Sequence, residues 1–142
     1  MTRVDFYLLN QAGEQARQLF ACRLADKAYR LENTVHIQAA NADDAARLDD
    51  LLWTFRDGSF VPHHRIRSDG DDQASPVTVG CGDLGTTGRD LLINLCDDVP
   101  SFAGAFGRIA ELVTADPECK QFGRRRFASY RDSGYALETH DV

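Results

Sequence analysis

The chain has 142 residues, 43% of them hydrophobic and 27% charged, and a formal net charge of −6. These values exclude an intrinsically disordered protein, and the negative charge argues against a surface that tracks the backbone of a nucleic acid. No apolar run approaches the ~20 residues that cross a bilayer, and the N-terminus lacks the layout of a signal peptide. We therefore expect one cytoplasmic domain over residues 1–142, with no membrane contact and with DNA involved only indirectly.

The first half of the chain alternates strand and helix patterns. An apolar, strand-forming run over 4–9 is followed by helical periodicity from Glu14 to about Arg30. A short second strand over 34–38 precedes Asn41, a good N-cap for a helix that runs to Trp53. The order strand, helix, strand, helix predicts a parallel α/β sheet.

The second half begins with an irregular stretch and then contains two short strands, 76–79 and 91–95. The apolar spacing from Ser101 to Val113 predicts a third helix. A further helix begins near Pro117, with Asp116 as its N-cap, and ends at Gly134; 135–137 is a candidate for a last strand. The predicted fold is therefore α/β, with a mostly parallel central sheet of about five strands flanked by helices.

A glycine-rich segment, 80–85, matches the dinucleotide-binding pattern G-x-G-x-x-G letter for letter. That pattern binds pyrophosphate because its glycine turn opens a helix. Here the turn continues into the apolar strand at 91–95, so a flexible connection between strands explains the glycines better. A small Rossmann-type nucleotide-dependent enzyme using the loop from Gly80 to Gly85 is the alternative function.

The four cysteines and four histidines show no spacing typical of metal ligands. His63 and His64 are adjacent, so on an extended segment they would point in opposite directions. A nucleophile pair such as Cys81 with His63 stays open, although nothing local supports it. We therefore predict no catalytic residue, no metal and no cofactor.

Residues 116–131 form a positive segment in this acidic chain. Five basic and two acidic residues give the segment a charge of +3, against −6 for the whole chain. At 3.6 residues per turn, three cations and one aromatic ring share a helix face: Lys120, Arg124, Phe127 and Arg131. Such a stripe could receive an acidic peptide that ends in an apolar side chain. The alternative is a solvated helix face with Phe127 in the core.

A second candidate surface is aromatic and lies around the end of the second helix. It comprises Trp53, Phe55, Phe60, Val61 and Pro62. Breakers on both sides indicate a short exposed element, and Trp and Phe side chains dominate the binding energy of many protein interfaces. The alternative is that these residues are ordinary core at a sheet edge.

At these two places the chain resembles the chi subunit family of bacterial DNA polymerase III holoenzyme. The similarity covers nearly the full length, in five segments that occur in the same order. The segments are Phe6-Tyr7-Leu8-Leu9, Arg47-Leu48-Asp49 with Leu52-Trp53, Ser59-Phe60-Val61-Pro62-His63, Arg89 through Leu95, and Lys120 through Gly134.

The resemblance implies a non-catalytic subunit with a Rossmann-like fold and no bound nucleotide. Members of the family belong to the clamp-loader assembly. They bind the psi subunit on one side and the acidic C-terminal tail of single-stranded DNA-binding protein on the other. The aromatic surface, from Trp53 to Pro62, would take psi or a helicase that competes there in some members.

The resemblance also implies a site for the tail, which ends in Pro-Phe with a free carboxylate. Lys120 and Arg124 would meet its carboxylates, and its last ring would enter a pocket beside Phe127. The full expected set is Lys120, Arg124, Phe127 and Arg131, with Val113 and Gly134 as walls. One departure is Ala128, which stands where relatives often carry a basic residue.

Overall fold

The computed structural model of the protein describes residues 2–58, 60–66, 75–82 and 89–142. Within these ranges it contains seven β-strands, three α-helices and one 3₁₀ turn at Ala103–Ala105. The elements are β1 (Arg3–Leu8), α1 (Glu14–Arg30), β2 (Val35–Ala39), α2 (Ala42–Thr54), β3 (His63–Arg65), β4 (Val77–Cys81), β5 (Leu91–Asn94), β6 (Arg108–Val113), α3 (Pro117–Asp132) and β7 (Ala136–Asp141). None of the helices in the described ranges is both long and apolar enough to cross a membrane.

The described strands form one parallel sheet in the order β3-β4-β2-β5-β6-β1-β7. The predicted class, a Rossmann-like α/β fold with a parallel sheet, is confirmed. The expected count of about five strands was too low, because β3 falls in the stretch interpreted as irregular and β6 was assigned to a helix. β3 and β7 are the two edges of the sheet.

The predicted helix from Ser101 to Val113 is wrong. This segment forms the 3₁₀ turn and then β6, which lies between β5 and β1 and pairs with both. All residues of β6 after Arg108 are buried. A strand covered on both faces reads as a continuous apolar run, and such a run cannot be distinguished from a buried helix by periodicity alone.

The helices cover both faces of the sheet. α1 and α2 pack on one face, where Ile37, Leu48 and Ile93 belong to the larger core cluster. α3 packs on the other face against β6 and β7, where Phe6 and Tyr130 belong to the second cluster. Successive residues of a central strand therefore alternate between the two cores, as the strand period of two requires.

A buried ion pair joins α3 to the sheet. Arg126 is 2% exposed, and its Nε donates to Oε1 of Glu111 in β6 at 2.8 Å. The second carboxylate oxygen, Oε2, accepts hydrogen bonds from the Tyr130 hydroxyl at 2.6 Å and from Asn94 Nδ2 at 2.9 Å. Burial raises the pKa of Glu111, and the Arg126 guanidinium and the other two donors oppose this rise. Hydrogen bonding of both oxygens offsets part of the cost of burying the charge, and burial remains the larger effect because the pKa stays raised.

α3 lies very close to β6 at Gly123. A Cβ atom at this position would lie 2.9 Å from Cγ2 of Val113, well inside van der Waals contact. Val113 is buried, and its β-branched side chain is stiff at χ1, so it cannot easily turn away. Glycine at position 123 therefore sets the distance between the helix and the sheet.

We expect Arg126→Met to lower the free energy of unfolding by about 3–5 kcal/mol, because Glu111 keeps a buried charge without its cation. Urea denaturation followed by circular dichroism measures this loss. The matched control is Arg125→Met, which removes an exposed guanidinium from the preceding position of the same helix. Adding Glu111→Gln to Arg126→Met should recover part of the loss. Equal losses for the Arg126 and Arg125 variants would contradict the role of the pair.

We expect Gly123→Ala to destabilise the protein by about 1–3 kcal/mol, because the new methyl group overlaps Val113. This loss would occur although alanine is the better helix former by about 1 kcal/mol. Combining Gly123→Ala with Val113→Ala should cost less than the sum of the two single changes, and thermal or urea denaturation measures the difference. Gly107→Ala is the control, because its Cβ would meet nothing nearer than the Asp90 carbonyl oxygen at 4.0 Å. A double change that costs the full sum of the two single changes would show that the overlap between the new methyl group and Val113 is relieved by movement of other atoms.

Candidate functional site

A cleft of about 680 Å³ opens between α3 and the carboxyl ends of β6, β1 and β7. Crevices at the carboxyl ends of parallel strands are the usual ligand sites of α/β proteins. The cleft has one wall from the helix, an apolar floor from the sheet and a second wall from the edge strand.

The helix wall of the cleft is formed by Lys120, Gly123, Arg124 and Phe127. Their spacing of three and four residues places them on one face of α3, as the sequence predicted for Lys120, Arg124 and Phe127 but not for Gly123. Within the part of the chain that the structure describes, neither Lys120 nor Arg124 has a side-chain hydrogen bond or an ion-pair partner. Both charges are therefore free to meet an anionic ligand.

The floor of the cleft is apolar. Phe6 and Leu8 are two residues apart in β1, so their side chains share the face that α3 covers. Val113 is the last residue of β6 and lies beneath Gly123. The Phe127 ring leans on the Phe6 ring, with 5.3 Å between their centroids and an interplanar angle of 58°. The site thus combines two cations at the rim with an aromatic and aliphatic base.

Two residues of the expected set, Arg131 and Gly134, do not line the cleft. Arg131 lies near the end of α3 and approaches Asp132, with 3.5 Å between Nε and Oδ1. Gly134 follows the helix with φ +85°, a conformation that favours glycine. Val113, Lys120, Arg124 and Phe127 are brought together.

The second wall was not predicted from the sequence. It consists of Thr139, Asp141 and Val142, from β7 and the residue after it. The candidate last strand ended at 137, but its pairing with β1 continues to Asp141. Most of β7 is exposed and polar, so hydrophobic periodicity gives no signal there.

The aromatic residues of the second candidate surface lie beside β3, at the other edge of the sheet. Trp53 and Phe60 are 53% and 62% exposed, and their ring centroids are 5.5 Å apart. The ring of His63 lies 4.5 Å from that of Trp53. These two exposed rings form a small apolar surface that can contact a partner.

The remaining three residues of this surface are less accessible. Phe55 and Pro62 are half-buried, whereas Val61 is fully buried in the core under α1 and α2. Val61 therefore supports the surface from below rather than contacting a partner. His63 is fixed as well, because its Nδ1 lies 2.6 Å from the Val61 carbonyl oxygen and its Nε2 lies 3.0 Å from Asp49 Oδ1.

The described part of the glycine-rich segment belongs to a strand. Gly80 and Cys81 are the last residues of β4, and Gly82 follows with φ +61°; residues 83–88 lie outside the described residues. Cys81 cannot act with His63. In the register of β3 and β4, His63 is level with Val77, and the four residues from there to Cys81 span about 13 Å.

The buried His36 has structural partners. Its Nδ1 lies 2.8 Å from Thr78 Oγ1 and its Nε2 lies 2.9 Å from Gln38 Oε1. Burial lowers the pKa of His36 to about 4, so the ring is neutral at physiological pH. This histidine is part of the core on the α3 face of the sheet.

One group of potential metal ligands occurs among the described residues: Asp5, Glu138 and His140. Arg3 donates to Asp5 at 3.0 Å and to Glu138 at 2.8 Å, and Arg108 donates to the other oxygen of Asp5 at 3.0 Å. Guanidinium groups already neutralise both carboxylates. We therefore interpret this cluster as an ion-pair network between β1, β6 and β7.

Comparison with solved structures shows the fold of the chain. The crystal structure of T4 UvsW superposes with a TM-score of 0.71 at 10% sequence identity. The match covers 99% of this chain, which spans 41% of that chain. At this identity the likeness concerns the fold alone.

Comparison with known sequences identifies the family. The model of the DNA polymerase III chi subunit, HolC, matches residues 1–138. A DNA polymerase III subunit chi of Pseudomonas aeruginosa is 42% identical over 140 residues, covering 99% of this chain and 96% of the relative. The Escherichia coli and Haemophilus influenzae subunits of the same name are 31% and 30% identical, covering 98% and 97% of this chain and 97% and 96% of theirs. The chain therefore belongs to the DNA polymerase III chi subunit family.

Proposed function

We propose that this protein is a non-catalytic adaptor in the clamp-loader assembly of DNA polymerase III, acting in the cytoplasm as one domain over residues 1–142. Its cleft would bind the acidic C-terminal tail of single-stranded DNA-binding protein, and its aromatic surface would bind the psi subunit. Family membership supports a role in the holoenzyme. The observation that carries the tail site is a cleft in which two cations without a partner among the described residues, Lys120 and Arg124, lie above an apolar floor.

The chemistry of the cleft suits a peptide that ends in Pro-Phe with a free carboxylate. Lys120 and Arg124 are one helical turn apart, so they can meet two carboxylates of one extended peptide, and the planar guanidinium can bind one of them bidentately. The terminal ring would rest on Phe6, Leu8 and Phe127. This arrangement would place the ring in the apolar base and the charges at the solvent-exposed rim.

The free energies expected for apolar burial and for exposed ion pairs assign different roles to the floor and to the rim. Burying a Phe side chain contributes about 1.5–3 kcal/mol, whereas an exposed ion pair contributes about 0.2–1 kcal/mol. The apolar floor should therefore supply much of the affinity. Lys120 and Arg124 should supply orientation, attraction at a distance and sensitivity to salt.

The proposed psi surface rests on Trp53 and Phe60, the two exposed aromatic rings beside β3. Exposed aromatic side chains are typical anchors of protein interfaces. A helicase that competes with psi would use the same rings. Six strand spacings separate β3 from β7, about 29 Å, so the tail and psi could bind at the same time.

We expect Arg124→Glu to weaken binding of a peptide ending Asp-Asp-Ile-Pro-Phe by roughly tenfold, because it replaces an attraction at the rim with a repulsion. Fluorescence polarisation of the labelled peptide measures the dissociation constant. The matched control is Arg131→Glu, which makes the same charge change on α3 outside the cleft. Similar weakening by both variants, or by neither, would contradict the proposed site.

Removing the terminal Phe from that peptide should weaken binding more than any single charge change, because it removes the only group that fills the floor. The same polarisation assay, repeated at low and high salt, separates the two contributions. Raising the salt concentration should weaken binding of the full-length peptide, whereas binding of the truncated peptide should be weak at every salt concentration. Equal affinity of the two peptides would exclude the floor as the site of the ring.

We expect Trp53→Ala to weaken binding of the psi subunit by about 2 kcal/mol or more, since it truncates the central exposed ring. Isothermal titration calorimetry with psi measures this loss, and the acidic-peptide assay should stay unchanged. Leu31→Ala is a matched control, because Leu31 is 66% exposed and lies at the end of α1. Normal psi binding by the Trp53 variant would place the psi interface elsewhere.

A further inference from the structure

One acidic side chain lines the otherwise cationic cleft. Asp141, the last residue of β7, is exposed on the wall opposite Lys120 and Arg124. In the described ranges its carboxylate has no hydrogen bond and no ion pair, so its charge is not cancelled by a neighbour. The two walls of the cleft therefore carry opposite charges, with the apolar floor between them.

The other acidic residue of β7, Glu138, lies outside the cleft. Glu138 accepts a hydrogen bond from Arg3 at 2.8 Å and does not line the cleft. Because side chains alternate along a strand, Thr139 and Asp141 share one face and Glu138 takes the other. Asp141 is thus the one carboxylate side chain among the described residues that line the cleft.

Opposite charges on the two walls would orient a peptide whose terminal ring sits on the floor. Its terminal carboxylate would be drawn to Lys120 and Arg124 on α3. With the peptide extended beside α3, the side chain of the residue before the ring would then face the β7 side of the cleft, toward Asp141. Besides Asp141, this side of the cleft offers Thr139, whose hydroxyl can hydrogen-bond an uncharged polar group or a backbone amide.

We propose that Asp141 determines which acidic peptides the cleft accepts, by excluding a negative charge from the position next to the terminal apolar residue. This inference rests on the proposed tail-binding function. The preferred ligand is an acidic peptide in which uncharged residues separate the last carboxylate side chain from the terminal ring. Asp141 thereby acts through like-charge repulsion, while Lys120 and Arg124 act through attraction.

The test uses two labelled peptides that differ by one isosteric change, ending Asp-Ile-Asn-Phe and Asp-Ile-Asp-Phe. The unmodified protein should bind the first peptide about two- to fivefold more tightly than the second, the range of one exposed charge interaction. In Asp141→Asn this preference should fall to about one, because both peptides then meet a neutral amide. The preference in the unmodified protein should also shrink as salt is raised.

Glu138→Gln is the matched control, because it removes the same charge from the same strand outside the cleft. It should keep the preference for the first peptide. The inference would be overturned if Asp141→Asn kept the full preference for the first peptide. It would also be overturned if Glu138→Gln lost as much of that preference as Asp141→Asn. Failure of the unmodified protein to bind either peptide or the Asp-Asp-Ile-Pro-Phe peptide would overturn the proposed function itself, so the two failures are distinguishable.

Discussion

The ion pair between Arg126 and Glu111 is the constraint on which the candidate site depends. It fixes the rotation of α3 over β6, because Arg126 also donates to the Asp97 carbonyl oxygen at 3.0 Å, beyond the end of β5. The next residue lies 100° further around the helix. With Arg126 turned toward β5, Phe127 turns toward Phe6 in β1, and the cationic rim follows the same face.

Anion binding by an acidic protein requires the cations to be kept apart from its many carboxylates. The chain does this by pairing other arginines elsewhere, such as Arg17 with Glu14, Arg47 with Asp44 and Arg3 with Asp5. Lys120 and Arg124 have no such partner among the described residues. Asp116 lies close to Lys120 in sequence, but its carboxylate already has other hydrogen-bond donors. It accepts from the Gly13 backbone N–H at 2.8 Å and from the Thr114 hydroxyl at 2.7 Å.

Local signals predicted the helices α1 and α2 well, and they failed where geometry is decided by distant parts of the chain. Asn41 accepts from the Asp44 backbone N–H at 2.8 Å, as its N-cap position predicted. Asp116 starts α3 without capping it, because Gly13 and Thr114 use its carboxylate. Arg131 shares the helix face of Lys120 but lies about 16 Å further along the axis, beyond the cleft. The β7 wall depends on pairing with β1, which no local pattern encodes.

The two proposed surfaces lie at opposite edges of one parallel sheet, and the described central strands between them are buried on both faces. Coupling between two sites requires an element with two arrangements that both ligands bias. The central strands β2, β5 and β6 are almost completely buried and paired on both sides, which disfavours a second arrangement. Binding at the β7 edge should therefore leave affinity at the β3 edge unchanged. A sheet of this kind would hold the two proposed surfaces at a fixed separation, which is the property that the proposed adaptor role requires.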